Sequence, residues 1–65
     1  MFTEEEKKFL QTELLTRISE NMHLYESFKD LNAEDTLRMD ILRKINPEGF
    51  GTLKERVQEM ILKAK

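Results

Sequence analysis

TEEEKKFLQTELLTRISENMHLYESFK, residues 3–29, decides the fold. Within it Leu10, Leu14, Ile18, Met22, Tyr25 and Phe28 recur at steps of four, four, four, three and three, the spacing of one helical face. Read as one element, the stretch predicts a single amphipathic helix about 39 Å long. Thr3 with Glu6 forms a capping-box pattern at its start, and Glu4 and Glu5 suit the positive end of the helix dipole. Dipole matching accounts for the three glutamates more simply than an acidic docking patch does. Ser19-Glu20-Asn21 is the weak point, since Ser and Asn prefer caps to helix interiors. A kink or break is possible there, but the apolar phase runs through unchanged, which favours one helix.

Outward from this stretch, Asn32 is a good N-cap for a second helix, with Glu34 and Asp35 in its first turn. Leu37, Ile41 and Ile45 mark its expected inner face, and Pro47 ends it. Residues 46–52 hold both glycines and the sole proline, so they form the turn. Either glycine is a candidate for positive φ there. Thr52 with Glu55 repeats the capping box, and Leu53, Val57, Met60, Ile61 and Ala64 form the stripe of a third helix. No strand pattern or repeat is present. The expected fold is all-α: one domain, residues 1–65, with a long N-terminal helix followed by a shorter helical hairpin.

A chain of 65 residues buries only ~60 % of its unfolded surface, so its own core is marginal. Without cysteine there is no disulfide, thiolate nucleophile or Cys-based zinc site, and the single histidine, His23, has no second one to share a metal with. No metal and no cofactor is expected. The remedy left is association. The second and third helices, about 20 and 18 Å long, would as a hairpin lying alongside cover only about half of a 39 Å helix. A homodimer built on Leu10, Leu14, Ile18 and Met22 is the simplest cover for the rest.

Apolar residues off the three stripes suggest a second buried surface. Phe9 falls almost opposite the Leu10–Phe28 face, Leu15 and Leu24 flank it, Met39 opposes Leu37 and Ile41, and Leu62 points away from Leu53 and Val57. Phe50, between two glycines, reads either as a plug at the end of the core or as an anchor for a partner. With Phe9, Leu15, Leu24, Met39 and Leu62 it makes the candidate partner-binding set.

Catalysis is not expected. His23 has Ser19 and Ser27 one turn away on either side, but no oxyanion site or pocket accompanies them. The 49–54 segment lacks the strand and glycine–lysine spacing of a phosphate loop. With 11 basic against 13 acidic residues the formal charge is −2, no footprint for nucleic acid. Helix-turn-helix DNA binding is the one rival, with Lys54, Arg56 and Gln58 near the start of a recognition helix. Against it, a 46–52 connection exceeds the usual three to four residues, and Glu55 and Glu59 would face phosphates. No apolar run approaches a membrane span, and acidic residues stand where a signal peptide would be basic, so a cytoplasmic setting is expected. The expected function is that of a non-enzymatic regulatory module that binds and modulates a larger protein. Such a chain resembles small regulatory proteins in kind, with no motif behind the likeness.

Overall fold

Three α-helices and two single 3₁₀ turns make up the structure, a computed structural model that describes residues 2–64. Helix α1 spans Glu4–Glu20, the 3₁₀ turns Met22–Leu24 and Phe28–Asp30, helix α2 Ala33–Ile45 and helix α3 Phe50–Lys63. No strand occurs among the described residues. The fold is all-α, with the longest helix first. At 36 × 19 × 15 Å it is an elongated body.

The capping box at Thr3 forms as expected: Thr3 Oγ1 accepts the Glu6 N–H at 3.1 Å, and the Thr3 N–H donates to Glu6 Oε1 at 2.8 Å. The helix does not reach Lys29, however. It stops at Glu20, and the Asn21 N–H folds back to the Ile18 carbonyl at 3.0 Å. Two residues earlier the Ser19 hydroxyl bonds the Thr16 carbonyl at 2.7 Å, an interaction that bends helices. Ser27 then caps the second 3₁₀ turn, whose Asp30 carboxylate accepts the N–H groups of Glu26 and Ser27 at 3.1 Å. Local side-chain bonding by Ser19, Ser27 and Asp30 competes with the helix over this stretch, and the Asn21 side chain turns to Asp35 instead. The apolar rhythm survives because steps of three suit a 3₁₀ turn as well as an α one. With 17 residues α1 is about 25 Å long.

Helix α2 starts where Asn32 predicts, its side chain accepting the Asp35 N–H at 2.7 Å, and ends at Ile45, two residues before Pro47. Its inner face is turned by roughly 100° from the expected one, with Ile45 common to both. Met39, Leu42 and Ile45 are buried beside Asp35, while Leu37 and Ile41 face solvent. Both arcs offer three apolar residues, Met39, Leu42 and Ile45 against Leu37, Ile41 and Ile45, so apolar count does not choose between them. The polar partners of Asp35 do.

Helix α3 starts at Phe50, two residues before the expected Thr52 cap, so the Thr52–Glu55 capping box is not used. Asn46 explains the early start. Its Oδ1 accepts the Gly49 N–H at 3.1 Å and its Nδ2 donates to Gln11 on α1 at 3.2 Å, closing the turn in four residues. Neither glycine has positive φ. Gly49 instead leaves room for the Asn46 side chain, whose Nδ2 would lie 2.6 Å from a Cβ there and would have to shift, whereas Gly51 faces open space.

The core draws equally on three segments: Ile18, Met22 and Tyr25 before α2, Met39, Leu42 and Ile45 from it, and Leu53, Val57 and Ile61 from α3. Helix α1 packs chiefly on α2, and α3 closes over the two 3₁₀ turns and α2. Phe50 packs half-buried against this core.

Candidate functional site

Asp35 is the fixed point of the molecule. It is fully buried, the one polar residue in that state among those described. Its Oδ2 accepts the Tyr25 hydroxyl and the Asn21 Nδ2 at 3.1 Å, and its Oδ1 pairs with Arg38 one turn on at 2.5 Å. The Tyr25 oxygen in turn accepts the Asn32 N–H at 3.3 Å. No buried side-chain polar atom among those described is left without a partner, as a burial of this cost requires. Burial alone pushes the Asp35 carboxyl up, but bonds from Tyr25, Asn21 and Arg38, with the Arg38 charge, hold it below the usual carboxylate range. Burial and the same carboxylate push the Tyr25 phenol up. The network ties the segment after α1 to the first turn of α2 and sets the rotation of α2. Its geometry is that of a structural clasp.

That rotation exposes Leu37 at 62 % and Ile41 at 42 % on the outer face of α2. Sequence periodicity placed both in the core, and the signal for their exposure was Asp35, which reads locally as a dipole-matching residue. The other candidate residues divide. Ile18 and Met22 lie in the chain's own core, and Leu10 and Leu14 pack half-buried at its edge. Met39 is also buried, in the chain's own core. Leu15 and Phe50 are half-buried against the core, whereas Phe9, Leu24 and Leu62 are exposed. The length mismatch that suggested a first-helix dimer also shrinks. Helix α1 has 17 residues against 13 and 14 in α2 and α3.

Leu62 belongs to a groove of about 420 Å³ between the second 3₁₀ turn and α3. Phe28, Ile61 and Leu62 give it apolar walls, and its charged lining is Lys29 and Lys54 against Glu26, positive on balance. Lys54 Nζ sits 5.2 Å from the centre of the Phe28 ring, a cation–π contact that orients the ammonium beside the groove. The volume falls in the range of ligand pockets. A shallower one of about 320 Å³ lies between Phe2, Phe9 and Leu10, flanked by Glu5 and Glu6.

His23 is exposed, and the Ser19 hydroxyl is engaged by the Thr16 carbonyl. Among the described residues no group of three His, Cys, Asp or Glu side chains is placed to hold a metal ion, and no helix is long and apolar enough to cross a membrane. No protein-family model, curated protein or solved structure matches the chain.

Proposed function

We propose that the protein is a cytoplasmic, non-enzymatic interaction module that binds and modulates a larger protein. The observation that carries the reading is the Phe28–Ile61–Leu62 groove with Lys29 and Lys54 beside it. Such a groove suits a partner segment that offers an apolar anchor next to acidic residues. The lysines steer the encounter and the apolar walls supply the contact area. Leu62 and Lys54 are exposed, so changing them tests binding without touching the core.

The experiment is affinity capture from native lysate with the wild-type chain, the Leu62→Asp variant and the Lys54→Glu variant, each with and without nuclease. A protein retained by wild type, lost with Leu62→Asp and indifferent to nuclease supports the reading. Retention unchanged by both substitutions contradicts it.

Helix-turn-helix DNA binding remains as a second reading because one observation favours it. The connection between α2 and α3 is four residues, 46–49, and not seven, so it has the usual length of that motif. Arg56 and Gln58 are exposed on α3, but so are Glu55 and Glu59. Retention on duplex DNA at low salt, lost steeply as salt rises, would promote this reading over the first.

A further inference from the structure

Helix α2 is apolar on two sides, and the monomer uses one. Glu34, Leu37, Ile41 and Lys44 follow one another along the unused side at steps of three, four and three. That is the seam spacing of paired helices. All four are open to solvent: Leu37 and Ile41 as above, and the Glu34 and Lys44 side chains at 80 % and 70 %. We propose that this face binds the same face of a second copy, antiparallel, about a two-fold axis.

The stripe is complementary to its own reverse. Laid antiparallel with the axis beside residue 39, it sets Leu37 against the second copy's Ile41, and Glu34 against the second copy's Lys44, twice over. A parallel pairing would set Glu34 on Glu34 and Lys44 on Lys44, so the charges select the antiparallel arrangement. Both halves of the match lie on one helix, which is the reason the occupant is a second copy and not an unrelated protein. Within one copy Glu34 and Lys44 each hold an exposed intrahelical ion pair, to Arg38 at 3.4 Å and to Asp40 at 3.1 Å. Exposed pairs of this kind are weak enough to be shared or exchanged. Two helices about 20 Å long bury less than a standard interface, so a weak, concentration-dependent dimer is expected.

This surface shares no residue with the Phe28–Leu62 groove, so the proposal stands or falls independently of partner binding there. Sedimentation equilibrium over micromolar to millimolar concentration tests it. Wild type should pass from monomer to dimer, and Ile41→Glu should stay monomeric throughout. Glu34→Lys and Lys44→Glu should each weaken the dimer about tenfold, and the double swap should restore it. Far-UV circular dichroism and the melting midpoint check that each variant stays folded. As a second readout in this cysteine-free chain, Leu37→Cys mixed with Ile41→Cys should form disulfide-linked dimers faster than either alone. A wild-type monomer at every concentration overturns the proposal. So does a dimer indifferent to Ile41→Glu, a double swap that fails to restore association, or cross-linking without preference for the mixed pair.

Discussion

Two Asp–Arg pairs lie five residues apart on α2, Asp35 with Arg38 and Asp40 with Arg43. Both have the same i, i+3 spacing and the same 2.5 Å contact. They differ in what surrounds them. Asp35 is buried and takes further bonds from Tyr25 and Asn21, while Asp40 stands half-open to water beside Lys44. A buried carboxylate is tolerated only when its partners are in place, so it dictates where they must be. An exposed one dictates nothing, because water serves it equally well. The first pair therefore fixes the rotation of the helix, and the second only decorates it.

The largest expected effect comes from breaking the first pair. Asp35→Ala strands the Tyr25 hydroxyl and the Arg38 guanidinium at the core edge and should cost about 3–5 kcal/mol. For a chain this small that is a large part of the whole stability, at ~0.05–0.15 kcal/mol per residue. Urea unfolding followed by circular dichroism measures it. A midpoint close to wild type would show that apolar packing, and not the clasp, sets the rotation of α2.

The two faces of α2 can be compared directly. Leu42 is fully buried and Leu37 largely exposed. Leu42→Ala should lose about 2–5 kcal/mol through transfer and cavity terms. Leu37→Ala, measured at low micromolar concentration, should stay within about 0.5 kcal/mol of wild type. Had the periodic reading of Leu37, Ile41 and Ile45 been right, the order would reverse, so one pair of unfolding curves decides the phase.

That phase was the part of the fold least legible in the sequence. Helix count, the Thr3 and Asn32 caps and the stop before Pro47 all rest on interactions within a few residues, and the chain spells those out. Leu37, Ile41 and Ile45 spell out an equally good stripe, but the arbiter is a set of bonds from Tyr25 and Asn21, ten and fourteen residues away. The break after Glu20 was half-legible, because Ser19 and Asn21 mark it while the run of Ile18, Met22 and Tyr25 disguises it. The start of α3 at Phe50 depended on Asn46 reaching Gly49 and Gln11, the latter a contact across 35 residues. Of the groove residues Leu62 stood out by its phase, whereas Phe28 and Lys54 meet only in three dimensions.

Acid should separate the two aspartates further. The folded Asp35 carboxyl titrates below its unfolded value of about 3.9. As pH falls the unfolded chain takes up that proton first, so the contribution of the clasp is complete above about pH 4 and lost as pH drops through the folded value. Urea midpoints of wild type should therefore fall more steeply below pH ~4 than those of Asp35→Asn, which has no proton to gain there. Parallel slopes for the two proteins would place the acid sensitivity elsewhere.

The smallest expected effect is the most discriminating. Asp40 is also held below the usual carboxylate range, by its bonds to Arg43 and Lys44. By linkage alone it too would contribute stability that acid removes. Its partners are long, solvated side chains, and screening by water and salt erodes a pair of that kind. Asp40→Asn should thus leave the urea midpoint at pH 7 indistinguishable from wild type, in low salt and in high, while Asp35→Asn lowers it in both. Both variants keep the shape of the side chain and remove one charge from the same helix, so composition and helix propensity are nearly matched between them. A fall in midpoint as large for Asp40→Asn as for Asp35→Asn would mean that the charge itself, wherever it sits on α2, is what the fold uses. Burial would then have no special part in setting which face of the helix turns outward.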